Sequence, residues 1–171
     1  SPIIIIIGII IFFDDRRPIL FKQKRIGLNN KIFTIYKFRT MKNNVKDIPT
    51  HLLENRSSIY TMSGKYLRKL SLDEIPQLLN ILKSEMNFIG PRPALYNQED
   101  LIQLRNEKGV NALMPGITGW AQINGRDSIS IKDKVKLDTF YLKNKSFLLD
   151  SKILILTFIK VITSDGLQDQ N

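Results

Sequence analysis

The run Ile3-Ile4-Ile5-Ile6-Ile7-Gly8-Ile9-Ile10-Ile11-Phe12-Phe13 restricts the fold of this chain more than any other stretch. Isoleucine is β-branched, so one reading is a strand buried on both faces of a parallel sheet. The other is half of a re-entrant helix that enters one leaflet of a bilayer and returns. Pro2 would break a helix upstream, Ser1 would satisfy a freed carbonyl at the bend, and Asp14-Asp15-Arg16-Arg17 would mark the return to water. The run is too short to span a bilayer, which takes about 20 apolar residues. Periodicity does not choose between the two readings.

A second stretch carries chemistry. Ser71-Leu72-Asp73-Glu74-Ile75-Pro76-Gln77-Leu78-Leu79-Asn80 places two adjacent carboxylates where a helix is expected to begin. Leu67-Arg68-Lys69 precedes it, and Gly90-Pro91-Arg92-Pro93 closes it. Ser71 and Glu74 fit a capping box, and Asp73 is an equally good cap for a helix starting two residues later. A well-capped surface helix would explain these residues without any function. Paired carboxylates beside fixed cations also suit a phosphorylated substrate held with a divalent metal.

Composition narrows the choice. The net charge of +10 suits phosphate-rich partners: nucleic acid, anionic lipid head groups or nucleotide sugars. There is no cysteine, so no disulfide framework, thiolate metal site or thiol nucleophile is available. His51, the single histidine, lies in a polar stretch and reads as a solvated residue, which leaves no histidine relay or multi-histidine zinc site.

Two further blocks complete the pattern. Tyr36-Lys37-Phe38-Arg39-Thr40-Met41 is basic and aromatic. Pro115-Gly116-Ile117-Thr118-Gly119-Trp120-Ala121-Gln122-Ile123-Asn124-Gly125-Arg126 is a glycine-punctuated loop with the only tryptophan, which reads equally as core anchor or ligand platform. With Phe21-x-Gln23-x-Arg25-x-Gly27 and Tyr141, these blocks in this order resemble the small monotopic phosphoglycosyl transferases, members of the bacterial sugar transferase family. The resemblance runs from Ser1-Pro2 to about Thr163.

It implies transfer of a sugar-1-phosphate from a UDP-sugar to polyprenyl (undecaprenyl) phosphate, with release of UMP, at the start of polysaccharide or other glycan assembly. Asp73 is then the nucleophile, and Glu74 its metal ligand or acid–base partner. Asp73 and Glu74 would share Mg²⁺. Lys37, Arg39, Arg68, Arg92 and Arg126 would hold phosphate, because a diphosphate carrying about two to three negative charges needs several fixed donors. Gly119, Trp120, Gln122 and Asn124 would face the sugar, for which an N-acetamido sugar is the expectation. The resemblance also favours the re-entrant helix, with the protein monotopic on the cytoplasmic face of the inner membrane.

The expected fold is α+β: a compact single domain with a membrane re-entrant helix and interfacial helices. Residues 1–13 would be the remaining half of the re-entrant helix, 14–163 the catalytic domain and 164–171 a polar tail. The family normally carries about twenty residues before Ser-Pro, about a membrane helix in length, so the expectation is that the sequence is truncated there. A strand is expected over Ile32–Arg39 after a turn at Asn29-Asn30, and helices over 52–56, 73–83, 96–108, 130–144 and 151–163, with 42–58 a flexible excursion. The chain departs from the family pattern at Ser84-Glu85, Asn87, Asp127 and Ile131. Two other classes are weighed: a nucleic-acid-binding domain, against which no recognition motif appears, and a non-catalytic membrane-surface adaptor, which would leave Asp73-Glu74 without a role.

Overall fold

A computed structural model describes residues 2–42, 59–125 and 129–163. The isoleucine run is helix, not strand: α1 covers Pro2–Asp15. A helix satisfies its backbone hydrogen bonds internally and needs no partner strand, which outweighs the weak β preference of isoleucine. Pro2 stands in the first turn, where its missing N–H is not needed. Ile7 and Ile11, one turn apart, are buried, whereas Ile3, Ile5, Ile6, Ile9 and Phe13 are exposed. The far end of α1 is tied down twice. The Asp14 carboxylate accepts from the Ser63 N–H (2.7 Å) and hydroxyl (2.6 Å). Arg39 donates to the carbonyls of Asp15 (2.6 Å) and Arg16 (3.2 Å), helix-end acceptors that the helix itself leaves unpaired.

Strands β1 (Leu20–Ile26) and β2 (Ile32–Phe38) form an antiparallel hairpin, in register from Leu20↔Phe38 to Ile26↔Ile32. Asn29 and Asn30 make its turn, both at positive φ, as asparagine tolerates. Strand β1 takes up most of the Phe21–Gly27 block, for which the sequence pattern gives no strand signal. Its buried position is Gln23, and Lys22 and Lys24 face out, so no apolar alternation betrays it.

Beyond residues 43–58, α2 (Met62–Lys69) starts on Thr61, whose hydroxyl accepts from the Gly64 N–H at 3.0 Å. A 3-10 helix over Leu72–Gln77 follows, then the short α3 (Leu78–Leu82). The expected continuous helix over 73–83 is therefore two pieces. The capping box is not formed either: Ser71 is left-handed (φ 54°) with no side-chain cap bond. Pro76 supplies no N–H to the helical ladder, and Glu74 turns across to β2 instead of back to Ser71.

Strand β3 (Asn87–Ile89) pairs in parallel with β4 (Gly116–Thr118), and the crossover holds α4 (Glu99–Glu107). The segment expected as a glycine-punctuated loop thus holds strand β4 and helix α5 (Trp120–Asn124) within its described residues, 115–125. Helix α6 (Ile131–Asn144) is capped by Ser130, which accepts from the Asp133 N–H at 3.1 Å. Helix α7 (Phe147–Thr163) begins earlier than expected, where Ser146 accepts from the Leu149 N–H at 3.3 Å. The fold is the expected mixture of helix and strand. Among the described residues no helix is long and apolar enough to cross a membrane. The expected helix 52–56, His51, nearly all of the 42–58 excursion, Arg126 and the tail 164–171 lie outside the described residues.

One apolar cluster matters for the site. Ile7 and Ile11 of α1 pack with Phe38 of β2 and Leu67 of α2, and against Leu72 and Ile75. Leu72 and Ile75 bracket Asp73 and Glu74. The exposed apolar helix is therefore built on the same foundation as the carboxylate pair.

Candidate active site

Asp73 and Glu74 stand in the first turn of the 3-10 helix, held against β2 from below by Asn80. Asn80 is fully buried. It accepts from the Tyr36 N–H (3.2 Å) and donates to the Thr34 carbonyl and the Glu85 carboxylate (2.7 Å each). This clamp fixes the register of α3 against the strand that carries Lys37. Lys37 Nζ then reaches Glu74 Oε1 at 2.7 Å, and Arg92 Nη1 reaches the same oxygen at 3.4 Å. Arg68, whose guanidinium lies 5.0 Å from the Tyr60 ring centre, adds positive charge beside Asp73.

The electrostatics follow from burial. Asp73 is only 8% exposed, and desolvation pushes its carboxyl above the usual aspartate range. Lys37, Arg68 and Arg92 pull it back down, while Glu74 pushes it further up. Lys37 is held below an ordinary lysine, first by desolvation and then by Arg92, with Glu74 opposing. Among the described residues no donor hydrogen-bonds the Asp73 carboxylate. A raised pKa makes the ionised carboxylate more basic, and with its oxygens not committed to donors this is the property a carboxylate nucleophile needs.

Two adjacent carboxylates beside cations also fit Mg²⁺, an ion that takes one or two protein carboxylates and completes its octahedron with phosphate and water. Asp73 and Glu74 would hold it. Among the described residues no group of three or more His, Cys, Asp or Glu side chains forms a self-sufficient metal site.

The remaining expected residues distribute as follows. Arg39 is 5% exposed and its bonds run to the end of α1, including a 3.2 Å pair with Asp15. Gly119 abuts the Gly90 carbonyl so closely that a Cβ would collide with it, which only glycine permits. That contact docks α5 on the Gly90–Pro93 corner, and Gln122 donates to the same carbonyl at 3.4 Å. Trp120 stacks on Phe140 (5.3 Å, 26°) and carries Lys152 over its ring at 5.6 Å. Asn124 donates to the Trp120 carbonyl of its own helix at 2.8 Å. Trp120 and Asn124 thus build α5 and its packing, in the manner of the core-anchor reading.

Sequence reasoning assigned no role to Asn80, Glu85, Arg25, Arg105 and Asp138. The signal for Asn80 was a polar residue at an apolar-face position of the Leu78–Leu82 pattern. Arg105 and Asp138 left none, because a buried ion pair between distant helices reads as two surface charges.

A buried Asp73 and a half-buried Glu74 ringed by three cations, on a fold with an exposed apolar helix, suit a group-transferring enzyme acting on phosphorylated substrate. The chain belongs to the bacterial sugar transferase family, whose model matches residues 1–164. It is 49% identical to the uncharacterised sugar transferase EpsL of Bacillus subtilis strain 168, across 90% of this chain and 75% of that protein. It is 38% identical to an undecaprenyl-phosphate glucose phosphotransferase of Komagataeibacter xylinus, across 96% of this chain but 33% of that protein. A third relative is the UDP-N-acetylgalactosamine-undecaprenyl-phosphate N-acetylgalactosaminephosphotransferase of Aeromonas hydrophila, 33% identical across 97% of this chain and 40% of that protein.

Proposed function

We propose that this chain transfers a sugar-1-phosphate from a UDP-sugar to undecaprenyl phosphate, for polysaccharide assembly, through a covalent phosphosugar on Asp73. The observation that carries the reading is the convergence of Lys37, Arg68 and Arg92 on the Asp73–Glu74 pair. An Asp73 oxygen attacks the sugar-linked phosphorus, the bond to the bridging oxygen breaks, and UMP leaves with that oxygen. The polyprenyl phosphate oxygen then attacks the same phosphorus and displaces the carboxylate, giving polyprenyl-diphosphate sugar and restoring Asp73. Glu74, hydrogen-bonded to Lys37, takes a proton from the acceptor phosphate where one is present. Phosphoryl transfer asks mainly for alignment and charge neutralisation, which Lys37, Arg68 and Arg92 supply. Mg²⁺, when bound, adds neutralisation of the diphosphate.

The membrane belongs to the same proposal. UDP-sugars are water-soluble, while a polyprenyl tail stays in the bilayer, so their phosphates must meet at the interface. Helix α1 shares its apolar cluster with the catalytic turn, consistent with a re-entrant helix that brings Asp73 to the cytoplasmic head-group level. A membrane-surface adaptor needs no such cation cage.

The named relatives differ in sugar, glucose in one and N-acetylgalactosamine in another. Our reading for this chain is a UDP-N-acetamido sugar, and a preference for UDP-glucose in a donor panel would overturn it. The mechanism is tested by incubation with labelled UDP-sugar, Mg²⁺ and undecaprenyl phosphate. Wild-type protein should release UMP and trap labelled phosphosugar when acceptor is omitted. Asp73→Asn should do neither, a loss of at least about 10³-fold for a nucleophile, and normal turnover in that variant would sink the mechanism.

A further inference from the structure

Two features take no part in the chemistry above, the Phe21–Gly27 block and the buried Arg105–Asp138 pair, yet both end on one piece of backbone. Arg25 Nη1 donates to the Pro93 carbonyl at 2.9 Å. Arg105 Nη1 donates to the Arg92 carbonyl at 2.9 Å. On either side, the Gly116 N–H takes the Pro91 carbonyl and the Ile26 N–H takes the Ala94 carbonyl, each at 3.0 Å. Four consecutive carbonyls, from residue 91 to 94, are each held by a donor from another part of the chain. We propose that Arg25 and Arg105, the latter braced by Asp138, are positioning residues that set the Arg92 guanidinium against the Asp73–Glu74 pair. The inference rests on the phosphosugar-transfer reading above.

The geometry favours this role over plain packing. Pro91 and Pro93 have no N–H and a fixed φ, so the corner offers mainly carbonyls as handles. Arg105 fills its fork: Nε and Nη2 bind Asp138 Oδ2 at 3.0 and 2.7 Å, which fixes the guanidinium plane and turns Nη1 onto the Arg92 carbonyl. A lysine cannot reproduce that fork. Asp138 is 1% exposed and Arg105 8%, and burial pushes the Asp138 carboxyl upward despite its partner. A buried ion pair is a poor way to gain stability compared with apolar packing, so its use here points to orientation. With its backbone held from both sides, Arg92 reaches Glu74 by its side chain alone, at 3.4 Å. A small displacement of the corner is therefore passed to the reacting centre, where misalignment affects the transition state more than the bound ground state.

The test compares Arg25→Gln, Arg105→Lys and Arg105→Gln with wild type in the UMP-release assay on the full chain. Each is made alone and on top of Arg92→Lys, and melting temperatures are recorded alongside. Tyr141→Phe, which removes a 2.8 Å bond to Asp150 away from the corner, is the control for destabilisation alone. Each clamp variant should lose roughly ten- to a hundredfold in kcat, with KM for the donor changed less than about threefold. The same changes should cost less than about twofold more in the Arg92→Lys background. Wild-type kcat with only a lowered melting temperature, as expected of Tyr141→Phe, overturns the proposal. So does a loss of equal size in both backgrounds. Should the Arg105 variants fail to fold, Arg25→Gln decides alone, since it lies on a hairpin edge and leaves the buried pair intact. A wild-type protein that releases no UMP from any donor instead overturns the function itself, and this inference with it.

Discussion

At the scale of single residues, Asp73 and Lys37 are displaced toward each other's territory, and both displacements have consequences that can be measured. In the proposed mechanism Asp73 is ionised to attack and Lys37 protonated to neutralise phosphate. Burial raises the first and lowers the second, so the kcat/KM profile should be a bell narrowed from both sides. Its acid limb should lie above the ordinary aspartate range and its alkaline limb below the ordinary lysine range. Lys37→Arg should remove the alkaline limb, because arginine stays charged throughout, and an unmoved limb would assign it to another group. The stability sign follows from the same shift. With a raised native pKa, the folded state holds its Asp73 proton longer than the unfolded chain, so stability falls as pH rises from the ordinary aspartate value through the raised one. A neutral isostere escapes that penalty at neutral pH. Asp73→Asn should therefore melt higher than wild type, by roughly 2–4 °C if the gain is about 1 kcal/mol, while losing activity. Ser84 makes a comparable point outside the site. It sits at φ 57°, a left-handed position that glycine adopts at less cost. Ser84→Gly should stabilise the protein by about 1 kcal/mol, read from denaturant midpoints.

At the scale of elements, the catalytic turn shows what sequence can and cannot convey. Asp73, Glu74, Lys37, Arg68 and Arg92 were legible because their blocks carry a family pattern, and the structure brings them together. The local geometry was not legible. Ser71-x-x-Glu74 has the residues of a capping box, but a 2.7 Å pull from Lys37 on a strand 37 residues earlier takes Glu74 elsewhere. Strand β1 was hidden because its inward positions are Gln23 and Arg25, which hydrogen-bond rather than pack apolar surface. The helix expected over 130–144 forms as α6, where Ser130 supplies a local cap and no distant contact is needed. What escaped is what long-range polar contacts decide. Asn80 is the sharpest case, a side chain whose three bonds join strand β2, α3 and Glu85. Asn80→Ala leaves the part-buried Tyr36 N–H and Thr34 carbonyl without this partner and should destabilise the fold by about 2–4 kcal/mol. It should also cut turnover at temperatures where the protein is still folded, because the Lys37–Glu74 register depends on it. Equal stability in urea would show the clamp to be idle.

At the scale of the whole molecule, two helices leave apolar surface uncovered at opposite ends of the sequence, and the chain as a whole is strongly basic. Helix α1 exposes Phe13 at 82%, and α7 exposes Phe158 at 68%. Each helix is nevertheless anchored on its other side, α1 through Ile7 and Ile11, and α7 through the fully buried Ile153 and a 2.6 Å hydroxyl bond between Thr157 and Thr118 of β4. Anchored helices with exposed phenylalanines are held in place for a surface still to be met. Under the proposed transfer to a polyprenyl acceptor that surface is the bilayer, whose anionic head groups the charge of +10 suits. The two contributions separate in a vesicle flotation assay. Neutral phosphatidylcholine vesicles should bind weakly and with little salt dependence, whereas vesicles with phosphatidylglycerol should bind tightly at low salt and progressively less as salt screens the charge. Phe13→Glu and Phe158→Glu touch no buried contact, so folding should be unaffected. Each should weaken binding to both vesicle types by about tenfold or more, the cost of losing roughly 1.5–3 kcal/mol of apolar insertion. If Phe13→Glu weakens binding and Phe158→Glu does not, only α1 enters the lipid and the apolar face of α7 serves another contact. If neither matters, charge alone brings the chain to the membrane, and a re-entrant α1 is ruled out.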